Sequence, residues 1–248
     1  MKNKQIPKPI RVILALLFWL GVWHFSSVIV DNEFLLPGIK VTFSTLFNMM
    51  CDASFYKAIG LSTLRVLTGL ILGCLFGIIL GIICKKISIV NDIVSPVITV
   101  IRSTPVASFI VVLWVLMSGD LLSIFIGFLM VMPILWQSTC DGLNAVDPAL
   151  DEVAKVFEFS RKKRIKLLVF PTLKKYLTPG IITASGLAWK AEIAAEIIAY
   201  TKHSIGQGIN DAKYNLDTPS VFAWTVVIVV LSIILEKGTT YLLRRCKR

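Results

Sequence analysis

The sequence predicts an all-α polytopic membrane protein, with six transmembrane helices and one cytoplasmic helical loop in a single domain of residues 1–248. Three observations predict it. Of the 248 residues, 56% are hydrophobic, against about 45–50% in a soluble domain. The apolar residues gather into runs close to the ~20 residues that cross a bilayer. The Lys and Arg residues are distributed unevenly between the segments that join those runs, as they are in membrane proteins of fixed orientation.

The first predicted span is Val12–Val30, free of formal charge and preceded by Lys2, Lys4, Lys8 and Arg11. It is too long for the apolar core of a signal peptide and is followed by no small-x-small cleavage site, so it reads as a retained span. The second is Leu61–Cys84, in which Gly69, Gly73, Gly77 and Gly81 recur at every fourth position. On a helix they form one shallow groove, where a neighbouring backbone can approach closely. This is a helix-packing face, within one subunit or between two.

The third span, Val94–Met117, is interrupted by Arg102 and Pro105. Proline removes a helical donor and frees local backbone groups. Arg102 beside the break can bind a carboxylate or a substrate anion, or it can snorkel to headgroups. The fourth span is Leu121–Cys140. The fifth, Tyr176–Tyr200, contains Lys190, Glu192 and Glu196. A charge at mid-bilayer costs at least ~2.5 kcal/mol, so it normally faces protein or water. Glu192 and Glu196 share one helical face. They line a polar path or gate, or they lie near the outer end of the span and reach water. Lys190, two residues from Glu192, points elsewhere. The sixth span is Thr218–Leu235, with a continuation towards Leu243.

With the N-terminus inside, eighteen of the 26 Lys and Arg residues fall in inner segments and four in outer loops. The positive-inside rule therefore places both termini in the cytoplasm. The formal net charge of +11 is a topology signal, and no nucleic-acid-binding motif accompanies it. The five cysteines, Cys51, Cys74, Cys84, Cys140 and Cys246, form no C-x-x-C pair and no metal spacing. No metal site or cofactor of this chain is expected.

The longest hydrophilic segment is the inner loop at 141–175. Asp147-Pro148 marks a helix start, with Asp147 as cap and Pro148 in the first turn. Leu150, Val153, Ala154 and Phe157 then recur at helical spacing and form one apolar stripe. Such a helix outside the bilayer needs a cover, either the membrane interface or a groove on a cytoplasmic protein.

These residues together resemble the permease subunits of type I ABC importers, most closely the nitrate/sulfonate/taurine group. That family's cytoplasmic signature is E-A-A, three residues, Gly, nine residues, I-x-L-P. Here Glu152, Val153 and Ala154 take the first three places and Glu158 the glycine place. Leu168 and Phe170 take the Ile and Leu places, and Pro171 closes the signature. Leu36-Pro37-Gly38 with Val41, the glycine ladder, Arg102-Ser103-Thr104-Pro105, Gly186-Leu187-Ala188-Trp189 and Ala194-Ala195-Glu196 are also similar to that group. The resemblance runs over about residues 36–243, with its core at 60–243 and the coupling loop at 141–175.

The resemblance implies a permease of the bacterial cytoplasmic membrane that forms the path for a small solute, such as a nitrate-, sulfonate- or taurine-like anion. It implies a homodimer, a separate cytoplasmic ABC ATPase that binds the ATP, and an extracytoplasmic solute-binding protein. The Asp147–Phe157 helix would be the coupling helix, with Glu152, Val153, Ala154, Phe157, Glu158 and Pro171 at the ATPase contact. Arg102, Trp189, Lys190, Glu192 and Glu196 are candidates for the translocation path. No G-x-x-x-x-G-K-[ST] phosphate loop occurs, so energy would come from a partner. Glu158 departs from the pattern, because a side chain in a left-handed turn costs roughly 1–2 kcal/mol. The sequence therefore predicts that the turn is made at Phe159-Ser160 or that the helix continues. An ion-coupled transporter using Glu192 and Glu196 is the alternative from another class. With His24 and His203 far apart and no H-E-x-x-H or Ser/His/Asp context, an enzyme is not expected.

Overall fold

A computed structural model describes residues 7–117 and 119–245. Lys2, Lys4, Lys247 and Arg248, used in the charge argument, and Cys246 lie outside the described residues. Eleven α-helices follow in order: α1 Lys8–Val30, α2 Ile39–Met49, α3 Ala53–Lys86, α4 Ser88–Ser103, α5 Val106–Leu116, α6 Asp120–Asn144, α7 Pro148–Val156, α8 Arg161–Arg164, α9 Phe170–Ile198, α10 Ile205–Tyr214 and α11 Thr218–Arg245. A π-helical segment, Ile165–Val169, joins α8 to α9. Among the described residues there is no strand.

The centre is a three-helix stack of α3, α6 and α9, and small residues decide its geometry. A Cβ added at Gly73 would stand 2.5 Å from Val131 Cβ, one at Gly77 2.5 Å from the Met132 oxygen, and one at Gly81 2.7 Å from Thr139 Cβ. The groove predicted on α3 is therefore filled by α6 of the same chain. The pairings advance together along both helices, so α3 and α6 run parallel. Helix α9 runs against them: Gly142 on α6 meets Leu173, and Gly180 on α9 meets Ser138. Close approach across small residues gains dispersion contacts where lipid leaves no hydrophobic drive between helices.

Helix α11 closes one side. Trp189 of α9 donates its indole N–H to the Ile228 carbonyl at 3.2 Å, and the Trp224 ring lies tilted against Phe55 with centroids 5.0 Å apart. Helix α1 touches this body lightly: Trp23 donates to the Pro37 carbonyl at 3.1 Å and stacks on Phe222. Most of its apolar side chains are exposed, the surface that a bilayer covers.

The six predicted spans map onto α1, α3, the α4–α5 pair, α6, α9 and α11. By length and composition, α1, α3, α6 and α11 can cross a membrane, and α4 with α5 adds a fifth if the pair is one span. The third span is corrected in shape: its two helices are bent by 105°. The cause is local. Thr104 adopts the extended conformation that a residue before proline prefers, and Pro105 cannot donate to α4. Helix α9 has 29 residues, about 44 Å at 1.5 Å per residue, but it carries the charges that set it apart. Helices α2 and α10 fall in segments read from sequence as loops. Ser204 accepts from Gln207 N at 2.9 Å and caps α10, and the Gln207 side chain accepts from the His203 N–H at 2.6 Å.

Candidate functional site

Two sites stand at opposite ends of the three-helix stack. The first is the loop at 141–175. Asp147 accepts from the Ala149 N–H at 2.8 Å and caps α7, with Pro148 in the first turn, as the sequence predicts. The end of α7 differs from both expectations. Glu158 itself is left-handed, at φ 48°. Its N–H donates to the Lys155 carbonyl at 3.0 Å, and the Phe159 N–H reaches back to Ala154 O at 2.9 Å. That pair of bonds is a Schellman closure with glutamate where glycine is usual. The same closure recurs after α10, where Leu216 is left-handed at φ 56° and Asp217 N donates to Ala212 O. This chain thus builds such turns without glycine.

Asp151 ties α7 to the returning chain. It accepts from Arg164 and lies 3.7 Å from Lys155. The Arg164 hydrogen bond holds its carboxyl below the usual value of 3.8. Lys163 sits 4.0 Å over the Phe159 ring, a cation–π contact that steadies the turn. The π segment also has a local cause. Pro171 would clash with the carbonyl four residues back in a continuous helix, and instead the Phe170 N–H reaches Ile165 O, five residues back.

Of the stripe on α7, Ala154 is buried, whereas Leu150, Val153 and Phe157 are exposed. Glu152 and Pro171 are exposed too. Behind α7 a cleft of about 390 Å³ opens between Asp147, Leu150, Leu168, Pro171, Lys175 and Tyr176. All six predicted loop residues are thus gathered at one end of the molecule, and α7 with its C-cap presents four apolar side chains, Leu150, Val153, Val156 and Phe157, that no described residue buries.

The second site is a buried charge cluster at the other end, and it centres on a residue the sequence reading passed over. Arg65 of α3 donates Nη1 to Glu196 at 2.9 Å, Nε to Asp120 at 2.9 Å and Nη2 to the Lys202 carbonyl at 3.2 Å. Glu196 also accepts from Ser62 Oγ at 2.7 Å and, at 3.3 Å, from Gly206 N in the first turn of α10, where the helix dipole favours an anion. The Arg65 and Glu196 side chains are 6% and 1% exposed; that of Asp120 is 70% exposed. The Asp120 bond is therefore an exposed one, worth about 0–1 kcal/mol. Removing one partner of the buried pair costs about 3–5 kcal/mol. The signal for Arg65 was present. It stands four residues before Gly69, on the same face as the glycine ladder, and so faces the stack.

The translocation-path candidates separate. Trp189, Glu192 and Glu196 are buried inside the chain, while Arg102 and Lys190 are exposed. Neither glutamate reaches water, which corrects the reading that placed them at a wet outer end. Among the described residues Glu192 has no hydrogen-bond partner for either carboxyl oxygen. It fills a slot that a Cβ at Gly69 or Gly127 would close. Trp189 is buried in the core, and Arg102 binds no carboxylate among the described residues.

A stack of small-residue helices, a bent α4–α5 pair and a capped helix projecting from one end define a polytopic helical membrane protein with a helical loop outside its spans. The chain belongs to the family of binding-protein-dependent transport system inner membrane components, whose model matches residues 69–248. It is 28% identical over 225 residues to the nitrate import permease protein NrtB of Synechococcus elongatus, covering 87% of this chain and 80% of that one. It is 26% identical to the taurine transport system permease protein TauC of Escherichia coli, covering 98% and 90%. Among solved structures, a bacterial ABC transporter involved in import of the acidic polysaccharide alginate aligns with a TM-score of 0.59 at 15% identity, covering 97% of this chain and 96% of that one. An amino acid ABC transporter aligns with a TM-score of 0.57 at 16% identity, covering 83% and 96%. These two likenesses concern the fold.

Proposed function

We propose that this chain is the membrane-spanning subunit of an ATP-driven importer and forms the path for a small solute of the nitrate, sulfonate or taurine kind. It carries no catalysis itself; ATP is bound and hydrolysed by a separate cytoplasmic ABC subunit. An extracytoplasmic binding protein delivers the solute, two copies of the permease enclose the path in the bacterial cytoplasmic membrane, and both termini are cytoplasmic. The names of the relatives NrtB and TauC support the solute class.

One observation carries this reading. Helix α7 is held rigidly by its Asp147 cap, its left-handed Glu158 and the Asp151–Arg164 pair, yet its apolar ridge of Leu150, Val153 and Phe157 is exposed. A preorganised ridge of that kind is suited to a preformed groove on another protein, because little ordering entropy remains to be lost on docking. The ion-coupled alternative loses its motive. Glu196 is engaged by Arg65, and Glu192 is fully buried with no hydrogen-bond partner among the described residues.

The test is co-purification and uptake. Phe157→Ala together with Val153→Ala should reduce recovery of the ATPase with the tagged permease at least about tenfold, as loss of central apolar anchors does at interfaces, with the permease still folded in the membrane. Unchanged recovery and uptake would refute docking through α7.

A further inference from the structure

The cluster around Arg65 is built unevenly. One carboxylate partner, Glu196, is locked: it is buried, bridged to Ser62 and capped by the start of α10. The other, Asp120, lies at the first residue of α6, directly after Gly119 in a left-handed conformation, and its side chain is largely exposed. Arg65 is thus shared between a partner fixed to α9 and a partner fixed to the start of α6. Water can replace Asp120 at little cost, whereas nothing can replace Glu196.

The cluster is also where α3, α6, α9 and α10 meet. Ile205 N donates to Ser62 Oγ at 3.0 Å, so the first turn of α10 is bonded to α3 as well as to Glu196. The cluster lies at the far end of the stack from α7. A movement that α7 imposes on the lower ends of α6 and α9 must reappear at their upper ends, where Arg65 bridges them.

We propose that Arg65 is the positioning residue of the outer gate and that the Arg65–Asp120 bond is its latch. With the latch closed, α6 is held to α3, α9 and α10. Opening towards the outside breaks the exposed Asp120 bond, while the buried Arg65–Glu196 pair stays intact and serves as the fixed side. This rests on the transport reading above, since a latch has meaning only if ATP-driven movement reaches it.

The experiment measures ATP hydrolysis by the permease–ATPase complex in nanodiscs, without a binding protein, together with the thermal midpoint of the complex. Asp120→Asn should raise hydrolysis about two- to fivefold, the range an exposed ion pair can contribute, and leave the midpoint unchanged. Asp120→Glu, which keeps the charge, should restore the low rate. Glu196→Gln should instead lower the midpoint. Asp120→Asn hydrolysing at the unmodified rate, or Asp120→Glu failing to restore it, would overturn the latch. A wild-type permease that recovers no ATPase at all would overturn the transport reading, and this inference with it.

Discussion

At the residue scale, two glutamates one helical turn apart have opposite characters. Glu196 is satisfied three times over, by Ser62, Arg65 and Gly206 N around one carboxylate. Glu192 fills space and hydrogen-bonds to none of the described residues. Truncating a partnered buried charge strands its mate, whereas replacing an unpartnered polar group with an apolar one of similar shape is close to neutral. Glu196→Met should therefore cost about 3–5 kcal/mol. Glu192→Met should cost less than about 1.5 kcal/mol or stabilise; thermal midpoints of the two variants in detergent compare them directly. Glu158 gives a third case. Its left-handed conformation costs a non-glycine residue about 1–2 kcal/mol, part of which glycine returns through unfolded-state entropy. Glu158→Gly should raise the stability of the loop by up to about 1 kcal/mol, and Glu158→Pro, whose φ cannot become positive, should disrupt it. At Asp151 the sign follows from Arg164. A carboxyl held below 3.8 in the folded loop contributes stability that is complete above that value and lost as the pH falls through the folded one. Limited proteolysis of the loop should distinguish the wild type from Asp151→Asn throughout pH 5–8, and the difference should vanish only in strong acid.

At the scale of elements, the glycine ladder of α3 is the clearest case of spacing that dictates packing. Gly77→Leu would drive a side chain into the Met132 carbonyl and Leu135 and should cost at least about 1–3 kcal/mol, the usual penalty of overpacking. Gly60 lies on the same helix with open space around it, and Gly60→Ala should stabilise by up to about 1 kcal/mol through helix propensity. The ladder's four-residue period made the packing face legible in sequence; which helix it met was not, because periodicity names a face and not its neighbour. The spans were legible for the same kind of reason. Long charge-free runs mark α1, α3, α6 and α11, and the structure extends them by a turn or two at polar ends where hydropathy gives no edge. The bend after Arg102 was foreseen as a break at Pro105, but its 105° angle was not, because proline marks a break without fixing the direction of the next helix. Arg65 was missed because its partners come from residues 120, 196 and 202, far apart in sequence. Short α2 and α10 were missed because hydropathy windows suit spans rather than short helices, although the Ser204…Gln207 cap was readable.

At the scale of the whole molecule, the interlocked small-residue contacts of α3, α6 and α9 shift between discrete arrangements rather than deform. A displacement at one end is then passed to the other. The loop of α7 and the Arg65 cluster occupy those two ends, and the exposed apolar ridge of Leu150, Val153 and Phe157 is where force would enter. The most direct measurement is a site-specific photocrosslink from Val153 in native membranes, followed by mass spectrometry of the adducts. Transfer of the label to a nucleotide-binding subunit, strengthened when ATP is trapped, is the predicted result. Label found only on lipid, or a Val153 site that reacts with membrane-impermeant reagents from outside the cell, would contradict it.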